Sequence, residues 1–534
     1  MSKFGEFLDK KFQLTEKGTT VRTEIVAGLV TFMTMVYILM VNAGMFADLG
    51  GTDEALRGQL FNGVYIATAL SAVIGTVLIG LMAKLPLAQA SGMGLNAFFV
   101  YTVCGFGMSN GLSYANALVF ILIDGVVFVL LTVTGLRKKI FAAIPDCVKV
   151  AIPAGIGLFI AFIGLQNAGI VVLEGSTKVK LASLNLLSGD VGWFAAINNV
   201  SITDSNGISQ IISTTGVGVA PILVTFLSFI LIAVLSKKNV KGSVLWGILG
   251  GTVLYYVFAA LGVAFGDAAS KAVFDSITFQ NPLTAFKDFG TTSVGKVFTE
   301  GFNFSTYLES NNVGQLILVM ITTSLAFCMV DMFDTIGTLY GACARGNLLD
   351  EKGEVPNMNQ AMLADAVATC VGAVCGTSTV TTFVESSSGI AAGGKTGLVS
   401  IVVAICFFIA MFLSPIAKLI PSAATAAALV YVGVLMMNGV AKIDWINPST
   451  AVPAFITIAM TVLTYSISFG IGLGMITYTL IQIFTGKYCS AEKTVVKEDG
   501  TAEVVRERSY NDIVTMIGWY SRNVLSYALI IKNL

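Results

Sequence analysis

Apolar residues fill most of this chain in continuous runs separated by short polar clusters. A helix needs about 20 apolar residues to cross the hydrocarbon layer of a bilayer. Runs near 24–44, 61–83, 87–104, 115–136, 150–172, 217–236, 243–264, 314–340, 361–375, 383–394, 397–416, 419–438, 449–468 and 469–486 predict fourteen spans, the third, ninth and tenth of them short. The apolar residues do not alternate with polar ones, which excludes a membrane β-barrel. The expected fold is an all-α polytopic membrane protein. Polar stretches 1–23 and 487–534 flank the spans, and two long polar loops, 173–216 and 265–313, interrupt them. The end of the tail, from Ser509, mixes apolar and polar residues too closely to span, which fits either an interfacial or a packed helix.

Charge orients the pattern. An even number of spans puts both termini on one side. That side then carries 24 of the 31 basic residues, among them Lys84, Arg137, Lys138, Lys139, Lys149, Lys237 and Lys442. The other side keeps the remaining 7. By the positive-inside bias the termini are cytoplasmic and the two long loops lie outside. Composition agrees with a membrane protein, at 55% hydrophobic and 12% charged residues, about half the usual charged share. This leaves too little polar surface for a soluble enzyme, a nucleic-acid binder or a disordered chain. Net charge is zero and histidine is absent, which removes the commonest metal ligand and neutral-pH proton carrier. The eight cysteines form no CxxC pair and read as reduced. No cofactor or metal is expected.

Two spans are unlike membrane helices. PLAQASGMGLNAFFVYTV at 86–103 and GTSTVTTFVESSSGIAAGGKTGL at 376–398 are short and rich in Gly and Ser, and the second holds the β-branched run Thr379–Val380–Thr381–Thr382. Non-helical backbone survives at membrane depth only where it lines a cavity or is buried in protein. Each is the third span of its seven, and broken spans at matching positions of two halves point to a transporter binding site. A seven-span repeat also forces the halves into opposite orientations. Glu385 sits inside the second break. The other intramembrane acids are Asp331 and Asp334, three apart on one helix, Asp365 and Asp124. Asp124, in VFILIDG, reads as a packing residue, and Asp365 as a partner of the broken backbone beside it.

Residues 389–396, GIAAGGKT, satisfy the phosphate-loop pattern GxxxxGK[ST]. That loop needs a βαβ context. Here a membrane span follows, so the match does not indicate an ATPase.

VDMFDTIGTLYG at 330–341, PLAQASGMGLNAFF at 86–99 and TSTVTTFVESSSGIAAGGKTG at 377–397 resemble the nucleobase:cation symporter-2 superfamily, in its AzgA-like branch of adenine/guanine/hypoxanthine permeases. The resemblance covers about 20–485. It implies fourteen spans in two inverted seven-span repeats. Spans at 24–136 and 314–416 would form a core domain, and those within 137–313 and 417–486 a gate domain. Short antiparallel strands in spans three and ten would face each other. Substrate would bind between core and gate, and gate domains would pair two protomers.

The resemblance assigns residues too. Asp334 matches the eighth-span acid that binds the nucleobase, and Thr338 a position that is His or Asp elsewhere in the superfamily. Glu385 matches the tenth-span acid or amide that also binds the base, with Ser386 where relatives have Asn. Met93 and Gly94 fall near the third-span position facing the ring, and Tyr37 near a first-span contact. Asp365 matches a ninth-span position that is Asp in some relatives. A purine suits such a site: its edges offer N–H donors to carboxylates, and Phe383, Phe98 or Tyr37 offers a stacking face. Buried carboxylates near one another can also carry protons, so Glu385, Asp334, Asp331 and Asp365 form the expected proton-coupling set. The expected function is proton-coupled uptake of purine nucleobases. Sodium coupling, a xanthine or uracil substrate, and an anion transporter on the same fold are the alternatives. The paired acids oppose the last, and the different tenth-span signature of uracil and xanthine branches opposes the second. The long outside loops are not explained by the resemblance.

Overall fold

The computed structural model describes residues 3–51, 53–104, 112–135, 144–174, 178–182, 193–203, 209–275, 277, 281–346, 348–350, 354–485, 491–496 and 502–507. An amphipathic helix α1 (Lys3–Phe12) leads into α2 (Val21–Met35) and α3 (Tyr37–Ala47), which share one kinked span. At the kink the Thr34 hydroxyl donates to the carbonyls of Val30 and Thr31, a pattern that bends helices. Helix α4 (Glu54–Met82) starts where Asp53 Oδ1 caps the amides of Ala55 and Leu56. Strand β1 (Gln89–Ser91) and short helix α5 (Met93–Ala97) follow, then α6 (Tyr114–Val133) and α7 (Asp146–Asn167).

Two antiparallel hairpins come next: β2 (Val171–Glu174) with β3 (Lys178–Leu181), and β4 (Ala195–Thr203) with β5 (Ser209–Val217). Helices α8 (Val219–Lys237) and α9 (Ser243–Ala264) lead to a stretch of short helices, among them Pro282–Asp288. The second half holds α10 (Val313–Arg345), opened by an Asn312–Gln315 capping box, and α11 (Met358–Cys375). Strand β6 (Val380–Thr382), α12 (Ser386–Ala391), α13 (Gly397–Ala410), α14 (Ser422–Met436), α15 (Pro448–Leu463) and α16 (Ile467–Phe484) complete it. A last hairpin pairs β7 (Ala491–Val496) with β8 (Ala502–Glu507).

Among the described residues, 10 helices are long and apolar enough to cross a membrane, and Met93–Val103, Pro448–Leu463 and Phe469–Phe484 are shorter apolar helices. The chain is a mostly helical, multi-pass membrane protein. The tenth predicted span is broken, as its composition implies, into a three-residue strand and a six-residue helix, neither of which crosses as a continuous helix. One expectation changes: the all-α reading omitted three hairpins found among the described residues, whose strands carry the Val, Ile and Thr that favour extended backbone. The predicted tail helix, from Ser509 on, lies outside the described residues.

The centre of the molecule is the pairing of β1 with β6. They run antiparallel, with Gln89 opposite Thr382, Ala90 opposite Thr381 and Ser91 opposite Val380. All six residues are buried. The ladder extends at both ends, with Gly92 N–H donating to the Thr379 carbonyl and Phe383 N–H to that of Ala88, each 3.0 Å. Around it packs an apolar core including Phe46, Phe99, Phe120 and Phe327, all fully buried. Helices α7 and α14 lie antiparallel and nearly touch. A Cβ at Gly157 would meet the Gly433 carbonyl at 2.7 Å, and Gly439 lies beside Val150. Small residues permit such an approach between membrane helices.

Candidate functional site

Beside the strand pair lies a cavity of about 390 Å³, within the range of small-molecule sites. One wall is built by the broken segments. Glu385 opens α12, and Asp334 and Thr338 lie one turn apart on α10. Thr381 also lines the cavity and donates from Oγ1 to Asp334 Oδ2 at 3.3 Å. Tyr37, buried at the start of α3, donates from its hydroxyl to Glu385 Oε1 at 2.7 Å. Met93, Gly94 and Phe383 also line the cavity. Gly94 is needed for space: a Cβ there would sit 2.5 Å from Ile156 Cγ2.

The opposite wall is α7 and α14. Pro153, Ile156 and Ile160 line it from α7, and Val432, Leu435 and Met436 from α14. At one end are Lys149, Asn438 and Lys442. Lys149 is paired with Asp146 at 2.8 Å. Apart from Lys149 and Lys442, which the sequence marks only as cytoplasmic charges, none of these wall residues was singled out from the sequence. The signal was present in the resemblance, which puts substrate between core and gate, and α7 and α14 occupy the fifth and twelfth predicted spans.

Four other expected residues lie off the cavity. Ser386 is fully buried and its Oγ accepts the Ala88 N–H at 3.0 Å, so it fastens α12 to the strand. Asp331 and Asp334 do not share a cavity-facing position: Asp331 is fully buried and accepts the Thr369 hydroxyl at 3.1 Å. Asp365 is also fully buried. It accepts from Gln89 Nε2 at 3.0 Å, Thr382 Oγ1 at 3.3 Å and Thr335 Oγ1 at 2.6 Å. Phe98 is packed edge-on against Phe327 at 4.9 Å and does not line the cavity either.

Away from the lysines, polar contacts join the two walls. Thr102 Oγ1 donates to the Tyr465 carbonyl at 2.5 Å, and the Tyr465 hydroxyl donates to Gln166 Oε1. Tyr465 also meets Phe159 edge-on at 5.5 Å. On the same side Tyr101 donates to Asp48 at 2.9 Å. Buried polar and aromatic groups close one end of the cavity, lysines line the other, and the carboxylates of Asp334 and Glu385 present hydrogen-bond acceptors along its wall.

Comparison with known proteins gives the family of the chain. A family model described as "Permease family" matches residues 22–230 and 193–473. The adenine permease AdeP of Escherichia coli is 35% identical over 480 residues, covering 90% of this chain and 91% of that protein. The guanine/hypoxanthine permease PbuG of Bacillus subtilis is 37% identical over 478 residues, covering 89% of this chain and 94% of that protein. Among solved structures, the transmembrane domain of a cyanobacterial bicarbonate transporter, BicA, superposes with a TM-score of 0.54. It covers 86% of this chain and 97% of its own at 14% identity, a likeness of fold alone.

Proposed function

The chain belongs to the permease family, in its nucleobase:cation symporter-2 group, and on that premise we propose that it carries purine nucleobases across the cell membrane. A permease is a transporter rather than an enzyme. The observation that carries the purine reading is the convergence of Asp334 and Glu385 on one cavity, Asp334 held by Thr381 and Glu385 by Tyr37. Each carboxylate accepts an N–H from the base edge. Phe383 and Met93 meet its face, and Ile156 and Met436 close over it from the other wall. Thr338, one turn below Asp334, bounds the edge of the site.

Transport follows from moving one wall against the other. Spans at 24–136 and 314–416 form the core, and those within 137–313 and 417–486 the gate, in two inverted seven-span repeats making fourteen segments. The antiparallel strands β1 and β6, each followed by a short helix, support the inverted relation. The cavity opens toward Lys149 and Lys442, which the basic-residue bias assigns to the cytoplasm along with both termini. The Thr102–Tyr465 contact closes the other side, so this conformation is inward-open. Protons couple the cycle. Asp334 and Glu385 take them at the cavity, and Asp331 and Asp365 lie behind the strand pair, Asp331 joined to it through the Thr369 hydroxyl and Asp365 bonded to it directly at Gln89 and Thr382. Two protomers pair through their gate domains.

Uptake of radiolabelled adenine, guanine, hypoxanthine and uracil into permease-deficient cells tests the reading. Purine uptake without uracil uptake is expected. Uptake of uracil alone overturns it.

A further inference from the structure

The run GIAAGGKT, which copies a phosphate-binding loop, does hold an anion: the side chain of Glu24. That residue, on α2, is completely buried. Its Oε2 accepts from the Thr396 hydroxyl at 2.6 Å and the Thr396 N–H at 3.2 Å. Its Oε1 accepts from the Lys395 N–H and the Thr19 hydroxyl, each at 2.9 Å. The two amides open α13, where a helix favours negative charge. The turn before them needs glycine, since Gly393 has φ +102°. The half-helix α12 is pressed against α2 beside this clamp. A Cβ at Gly389 would lie 2.6 Å from the Ala27 carbonyl, and one at Gly394 would lie 2.8 Å from Ala27 Cβ.

The same kinked span therefore grips the broken segment twice. Glu24 holds its end at 395–396, and Tyr37 holds its beginning at Glu385. Between them α12 has six residues, too few to have a stable position of its own. We propose that Glu24 is a positioning residue for substrate binding. By clamping residues 395 and 396 it fixes α12 against α2, and so sets the Glu385 carboxylate where Tyr37 reaches it. This rests on the reading of Glu385 as a purine-binding carboxylate.

The test is a double-mutant cycle with Glu24→Gln and Tyr37→Phe, read as adenine and guanine affinity of the purified full chain. Size-exclusion profiles of fluorescent fusions check folding. A glutamine brings an NH2 group against a shell of donors, and E24Q is expected to weaken affinity about tenfold. In the Y37F background the same change is expected to cost under about twofold, because the contact it sets is already gone. If E24Q does not fold, Thr396→Val removes one donor and is expected to lose about threefold in wild type and nothing measurable in Y37F. Equal losses in both backgrounds, or wild-type affinity in E24Q, overturn the proposal. Wild-type affinity in Glu385→Gln instead overturns the site reading on which it stands.

Discussion

Gln89 and Thr382 face each other across the central strand pair, and both donate to one oxygen, Oδ1 of Asp365. Thr335 holds the other oxygen. The carboxylate thus ties together both broken segments and α10 without touching the cavity. Asp365→Ala leaves three buried donors facing a gap, at about 1–3 kcal/mol each. A large fall in the thermal unfolding temperature in detergent is expected, with Asp365→Asn much closer to wild type because it keeps an acceptor. An unfolding temperature for the alanine variant equal to wild type would show that the strand pair does not depend on this acid.

Glu385→Gln and Asp334→Asn are expected to reach the membrane and bind purines about ten- to a hundredfold more weakly. Losing a charge-assisted hydrogen bond in a buried site costs about 1.5–3 kcal/mol. Binding of labelled guanine or adenine to purified protein reads this out. Undiminished binding by both variants removes them from the site.

Gly94 faces Ile156 at a distance that leaves no room for a methyl group, and isoleucine is stiff at χ1. Gly94→Ala is therefore expected to weaken purine binding at least fivefold, by wedging the walls apart, and Ile156→Ala is expected to restore part of it. Failure of the second change to restore anything would place the defect elsewhere than in this contact.

Orientation is checked by thiol labelling of intact cells. A cysteine introduced at position 180 should react with an impermeant reagent added outside, and one at position 138 should not. Reaction at 138 reverses the assigned sides.

Coupling is checked in vesicles. An inward proton gradient should drive purine uptake without sodium, and an uncoupler should abolish it. Uptake that requires sodium and ignores the pH gradient would make Asp334 and Glu385 cation ligands instead.

Much of this architecture was legible in the chain itself. Runs of apolar residues locate the helices, because a bilayer admits few alternatives. The two broken segments stood out because Gly, Ser and Thr cluster there against the apolar background. Seven of the nine expected substrate residues line one cavity, whereas Ser386 turns to the Ala88 amide and Phe98 packs against Phe327. Spacing could not separate Asp331 from Asp334: residues three apart on a helix differ by about 60°, and here that angle decides between the strand pair and the cavity. The second wall was invisible for a related reason. Ile156, Ile160 and Met436 look like any lipid-facing residues until the fold sets them opposite two acids. The hairpins lie almost wholly in the long loop and the tail that read as merely polar, where strand alternation over four to nine residues is weak beside spans of twenty.

The pairing of β1 with β6 also bears on how the chain is made. The two strands are separated by nearly 290 positions, and each satisfies the other's backbone groups. Until the second emerges from the ribosome, the first has an open edge at a depth where neither water nor lipid can bond to it, at several kcal/mol for each orphaned group. The early segments thus cannot settle on their own, and something must shelter that edge during insertion. The same dependence means that a truncated product lacking β6 has no stable resting form in the bilayer, and should be cleared by membrane proteolysis instead of accumulating as half a carrier.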